Sequence, residues 1–138
     1  MADDEFVYSS DLGGSCHAVL NLTVNAKGNV SPCCAGMDQT EELVFGNIRE
    51  ERISDIADYM NRSALLRVIV FEGVAALVPI LKKAGVYEDQ QYTNICHLCF
   101  NIFSNADRTA AVKAFFEQLE EEALRATIER LRSRMVAA

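Results

Sequence analysis

Cysteine placement constrains this chain more than any other feature. Cys96-His97-Leu98-Cys99 is a C-x-x-C, a spacing that turns two sulfurs toward one side, while Cys16 and Cys33 lie far upstream. The upstream pair brackets a predicted hairpin. Leu20, Leu22 and Val24 recur at period two, with Asn21 and Thr23 opposite, as in a half-buried strand. Asn25-Ala26-Lys27-Gly28-Asn29 reads as a turn in which Gly28 supplies a positive φ. Val30 to Cys33 is the return strand, cut short by Pro32, which has no N–H to give a ladder. A hairpin brings the chain back to its starting level, so Cys16 and Cys33 are expected at the same open end. Added to the C-x-x-C they make a four-thiolate site, a donor set that suits Zn²⁺ or an iron–sulfur cluster. Spacing does not choose between the two. A thioredoxin-like redox site is the third use of C-x-x-C, but it follows a strand in a βαβ unit. Here the polar stretch Tyr87 to Ile95 leads in.

The remaining bulk features narrow the setting. The odd count of five cysteines argues against a disulfide framework, and so does a reducing compartment. The start, Met1-Ala2-Asp3-Asp4-Glu5, lacks the basic and apolar regions of a secretory signal, and the longest apolar run, Val74 to Leu81, is too short for a membrane span. The expected location is cytoplasmic, with no membrane partner. Net charge is −7, a balance that repels phosphate backbones, so no nucleic-acid partner is expected. Arg125, Arg130, Arg132 and Arg134 alternate with Glu121, Glu122 and Glu129 in the manner of a solvated helix face. At 138 residues, half of them hydrophobic, the chain can form a single core.

The fold class is α+β: a small N-terminal β-hairpin followed by several α-helices, including a long C-terminal helix. Residues 1–15 read as an extended lead-in and 16–138 as a single domain. A first helix is expected from about Ile53 to Met60, on the stripe Ile53, Ile56 and Met60. A second is capped by Ser63 and carries Leu65, Leu66, Ile69, Val70, Val74, Leu77, Val78 and Leu81. Gly73 and Pro79 split or kink it, and Gly85 stops it. The last runs from about Ala106 to Met135, capped by Asp107, burying Val112, Phe115, Phe116, Leu119, Leu124, Ile128 and Leu131.

Cys16, eleven residues, Gly28, four residues, Cys33 resembles the opening of the auxiliary-cluster domains of radical S-adenosylmethionine (SAM) enzymes, called SPASM domains or, when shortened, twitch domains. Leu22 through Cys34 resembles the family hairpin, with its "Asp or Asn, any, Gly, any, Val, any, Pro-Cys" pattern, and Phe45-Gly46-Asn47-Ile48 with Ile53-Ser54-Asp55-Ile56 resembles the segment that follows. The likeness covers roughly residues 16–100. A full SPASM domain has further cysteines after its C-x-x-C and two clusters; this chain has none after Cys99, as in the single-cluster twitch form. The resemblance implies one [4Fe–4S] cluster on Cys16, Cys33, Cys96 and Cys99, with a role in electron transfer or substrate positioning. It also implies a radical SAM barrel domain as partner, in the same parent protein or on another chain, and a peptide as the favoured substrate class. The C-x-x-x-C-x-x-C loop that binds the SAM-cleaving cluster does not occur, so no catalytic residue is assigned.

Other residues have plainer readings. Cys33 and Cys34 point to opposite faces if extended, so one of them ligates, and the family pattern nominates Cys33. His17 and His97 adjoin ligands but are read as outer donors or surface groups. Tyr92 and Asn94 shield the site or simply pack its loop, and Glu117 to Glu122 is a solvated face. Two alternatives stand beside the cluster: a structural zinc module on the same cysteines, and an adaptor that recruits a peptide without any metal.

Overall fold

The computed structural model describes residues 6–33 and 43–137. Cys34 and residues 35–42, part of the expected loop, lie outside them. The architecture is α+β. Among the described residues, five short strands, β1 (Val7–Tyr8), β2 (Thr23–Val24), β3 (Asn29–Ser31), β4 (Gly46–Asn47) and β5 (Gln91–Tyr92), form two small antiparallel sheets, β2-β3-β4 and β1-β5. Five α-helices follow the first hairpin: α1 (Ile53–Asn61), α2 (Ala64–Phe71), α3 (Val78–Lys83), α4 (Ile95–Phe103) and α5 (Ala106–Ala137). No helix among the described residues is long and apolar enough to cross a membrane.

The hairpin turn forms as its residues dictate. Asn25 Oδ1 accepts from the N–H of Lys27 (2.9 Å) and Asn29 (3.0 Å), and Gly28 takes φ +87° to close the loop. The expected strand before it is mostly absent. Its ladder ends at the pair Thr23↔Ser31, because the next position on the return strand is Pro32, which cannot donate. Instead His17–Leu20 winds into a 3₁₀ turn that buries Val19 (4 % exposed) and leaves Leu20 outside (68 %), the reverse of the face expected from period two. The hairpin gains a third strand that the sequence reading left as loop. The Asn47 side chain donates to Lys27 O (3.1 Å) and Asn29 Oδ1 (2.8 Å), tying β4 to the turn.

The helical half follows its punctuation. Ser63 Oγ accepts from Leu66 N at 3.3 Å and starts α2. Gly73 at φ +88° ends it, a 3₁₀ turn Val74–Leu77 follows, and Pro79 falls in the first turn of α3, where its missing N–H costs nothing. Gly85 at φ +73° closes α3, with Gly85 N to Lys82 O at 3.1 Å and Val86 N to Leu81 O at 3.1 Å. Ile69, Leu77, Leu81, Leu98 and Ile102 are fully buried at the centre. Each contributes about 1.5–3 kcal/mol by leaving water.

Two expectations for α5 fail. Asn105, not Asp107, caps it, its Oδ1 accepting from Arg108 N at 3.0 Å. Its apolar side is not buried along its length: Val112 and Phe116 reach the core, but Phe115, Leu119, Leu124, Ile128 and Leu131 are exposed. On α1 likewise, Ile56 and Met60 are buried whereas Ile53 faces solvent. Helical spacing identifies an apolar stripe; only the reach of the neighbouring elements decides how much of it is covered.

Candidate metal centre

Three separate elements deliver the four cysteines. Cys16 lies seven residues before β2 rather than immediately before it, and it is held from the side: its N–H donates to Ile69 O (3.1 Å) near the end of α2. The same carbonyl accepts from Gly73 N at 3.1 Å, so the end of α2 and the Cys16 segment share one acceptor. The contact is close. A Cβ built on Gly73 would stand 2.0 Å from Gly14 O, so only glycine lets the two backbones meet. Cys33 follows β3 and buried Pro32, and its carbonyl accepts from the buried Ser31 hydroxyl at 3.4 Å.

Cys96 and Cys99 occupy the first turns of α4. Asn94 caps that helix, its Oδ1 accepting from His97 N at 2.9 Å, so Asn94 positions the C-x-x-C rather than shielding it. Positions three apart on a helix share a face, which turns both sulfurs the same way. Fully buried Leu98 between them anchors the turn. Strand β5 immediately precedes the motif, where the sequence reading had only polar loop. It pairs antiparallel with β1, however, so the βαβ setting of a thioredoxin-like site is not what surrounds the C-x-x-C.

Exposure is graded across the group: Cys16, Cys33 and Cys99 are half-buried against the core, and Cys96 is exposed. The electrostatics at Cys99 tie them together. Burial, followed by the charges of Cys33, Cys16 and Cys96, pushes its thiol up to about 12. Two sulfurs remote in sequence, Cys33 and Cys16, therefore lie within electrostatic range of Cys99 along with its neighbour Cys96, and every influence on it disfavours a lone thiolate. A bound cationic metal group reverses that, since it supplies the positive charge the thiolates lack. The donor set fits an iron–sulfur cluster or zinc in kind: soft thiolates, three lodged in the fold and one at its rim. Among the described residues, no group of three or more Cys, His, Asp or Glu is set to hold a single metal ion.

The histidines stand aside. His17 is exposed, its Nε2 3.3 Å from Ser15 Oγ. His97 Nδ1 accepts from the Thr93 N–H at 3.3 Å, and its ring meets Tyr92 edge-on at 5.2 Å. Tyr92 itself is completely buried, with its hydroxyl 3.0 Å from that of Tyr87 and donating to Asn101 at 3.4 Å. Arg108 on α5 donates to Val86 O (3.0 Å), Asn101 O (3.2 Å) and Asn101 Oδ1, locking the far side of α4. Sequence reasoning missed Asn94 as a cap and Gly73 as a contact point. The first was legible in Asn94 ahead of Ile95, Leu98, Cys99 and Ile102 at helical spacing. The second had no local signal, because Gly73's partner is Gly14.

No curated protein and no solved structure gives a significant match to the chain. A family model does match, described as an iron–sulfur cluster-binding domain, SPASM, over residues 16–100. The match opens on Cys16 and ends one residue past Cys99, so it encloses all four cysteines and leaves α5 outside. Covering well over half of the chain, with the four-cysteine pattern inside it, this match makes the chain a member of the SPASM iron–sulfur cluster-binding family.

Proposed function

We propose that Cys16, Cys33, Cys96 and Cys99 hold one [4Fe–4S] cluster, and that the domain serves as the auxiliary-cluster module of a radical SAM enzyme. The observation that carries the reading is the family match, which encloses Cys16, Cys33, Cys96 and Cys99, and the electrostatic influence of Cys33, Cys16 and Cys96 on Cys99 supports it. Bound there, such a cluster supplies one-electron transfer at low potential. The chain's own residues do the rest. Leu98 and Asn94 fix the C-x-x-C, the Gly73–Gly14 contact fixes Cys16, and Pro32 ends the ladder so that Cys33 turns out of the sheet. Four thiolates fill every iron, which favours electron transfer or positioning of substrate over direct ligation of it. A radical SAM barrel, in the same parent protein or on another chain in the cytoplasm, is the proposed partner, and a peptide the proposed substrate class.

Anaerobic reconstitution with iron and sulfide tests the reading. The expected product is brown, with broad absorption near 400 nm, about four irons per chain and a reducible cluster signal by electron paramagnetic resonance. Alanine at each of the four cysteines should lower the iron content, while Cys34→Ala should retain it. Colourless protein with one tightly held zinc supports the structural alternative, in which the sulfurs draw in to about 3.8 Å of one another around bonds of about 2.3 Å. A folded domain that binds neither metal refutes both.

A further inference from the structure

We infer that the segment before Cys16 is a strap that ties the two halves of the donor set together, with Ser9 and Asp89 as its positioning residues. Its role at the metal rests on the proposed centre; the tie itself does not. The family match opens at Cys16, and residues 1–15 read in sequence as no more than an extended lead-in. In the fold, residues 7–15 are held at both ends. Strand β1 pairs antiparallel with β5, Val7 opposite Tyr92 and Tyr8 opposite Gln91. Tyr92 lies two residues before the Asn94 cap of α4, so this pairing seats the strap on the approach to Cys96 and Cys99. At the other end Leu12 packs against the core, Gly14 meets Gly73, and Cys16 N donates to Ile69 O at 3.1 Å.

Ser9 is the knot between those ends. It is 3 % exposed, and a hydroxyl so buried costs stability unless it is hydrogen-bonded. Its partner is Asp89, 80 residues away, whose Oδ1 accepts from Ser9 Oγ at 3.0 Å. The same oxygen accepts from the Tyr87 hydroxyl at 3.0 Å and from the Gln90 N–H at 3.1 Å. Tyr87 in turn stands 3.0 Å from the hydroxyl of buried Tyr92, which donates to Asn101 on α4 at 3.4 Å. One carboxylate oxygen therefore gathers the strap and, through the two tyrosines, the helix of the C-x-x-C. Two strands of two residues each do not hold such a junction by their ladder alone, since even a whole isolated hairpin is marginal in water. With the tie closed, Cys16 and the Cys96–Cys99 pair are ordered before metal arrives, which lowers the ordering cost of binding it.

Amide exchange by nuclear magnetic resonance on the full metal-free, reduced chain reads the tie at the Cys16 N–H, remote from Asp89 in sequence. Ser9→Ala and Asp89→Ala should each speed that exchange about three- to tenfold, the share of one hydrogen bond in a local opening. Asp89→Asn keeps the Oδ1 acceptor and should return the rate to that of the unaltered chain. Gly85→Ala, in open space at the end of α3, should leave the rate unchanged, which separates the tie from a general loss of stability. In iron-loaded protein, anaerobic transfer of iron to a ferrous chelator should follow the same order: faster in both alanine variants, restored in Asp89→Asn. Exchange at Cys16 indifferent to both alanine variants overturns the tie. Faster exchange with unchanged iron release overturns the positioning role at the metal. An unaltered chain that takes up no iron overturns the cluster reading and with it that role, while the exchange rates still decide the tie.

Discussion

Gly73→Ala isolates the contact that holds Cys16. Gly73 has φ +88° and ψ 166°, a region essentially reserved for glycine, where a side chain costs about 1–3 kcal/mol in backbone strain. The new methyl would also stand 2.0 Å from Gly14 O, against roughly 3.5 Å for ordinary contact. Backbone cannot yield as a flexible side chain does. The Gly14–Cys16 segment must lift from α2 and surrender the 3.1 Å bond from Cys16 N to Ile69 O, worth about 0.5–1.5 kcal/mol. Together the loss is about 2–4 kcal/mol, a large share of the 5–15 kcal/mol typical of a domain. Urea unfolding of the metal-free, reduced protein should show the midpoint falling by roughly 1–2 M at unchanged slope, for a slope near 2 kcal/mol/M. Gly85→Ala is the matched control, because Gly85 also has positive φ (+73°) but open space around it; it should cost only about 1 kcal/mol. Reconstituted Gly73→Ala protein should also hold less iron, since one ligand has moved. If the two variants were equally stable, the close approach of Gly73 to Gly14 would not exist and the account of Cys16 would collapse.

Further outcomes follow from the same geometry. In the metal-free protein, Cys99 with its thiol near 12 rather than 9.0 carries about a thousandfold less thiolate than an ordinary cysteine at pH 8. Iodoacetamide followed by peptide mass mapping should therefore label exposed Cys96 first, with the Cys99 rate rising about tenfold per pH unit from 8 to 11; prior labelling of Cys99 contradicts the burial argument. Because the fold favours the protonated form of Cys99, stability should hold below pH 9 and decline as pH rises through the interval up to about 12. Arg108→Lys should destabilise by about 2 kcal/mol in thermal or urea unfolding, since an ammonium cannot span Val86 O and Asn101 together. A neutral result there removes Arg108 as the bolt between α4 and α5. Asn47→Ala should lower the urea midpoint and the iron content together, because its amide ties β4 to the hairpin turn; loss of stability with full iron retention separates the turn from the centre.

Local chemistry was legible where a residue's effect reaches only a few positions along the chain. Gly28, Ser63, Gly85 and Pro79 each act through their own φ, hydroxyl or missing N–H, and each does what its type requires. The same holds for the C-x-x-C, whose convergence needs only a single helical turn. Period-two and helical patterns were less secure. Leu20, Leu22 and Val24 fit a strand, yet the ladder that would hold it runs into Pro32, and the coil settled against α2 instead. Leu124 to Leu131 fit a buried stripe, yet among the described residues none covers them and all three apolar side chains, Leu124, Ile128 and Leu131, stay exposed.

By itself the sequence determined the hairpin turn at Gly28, the Ser63 cap, the Gly85 stop, and the family pattern from Cys16 to Cys99. Those depend on residue type and short spacing, which a chain carries before it folds. Only the tertiary structure decided that Cys16 rests on the end of α2, that Gly73 meets Gly14, and that β1 pairs with β5. Each joins residues distant along the chain, so it is set by which surfaces complete one core rather than by any local preference. The outer half of α5 lies beyond that core, and its apolar residues Leu124, Ile128, Leu131 and Met135 are exposed.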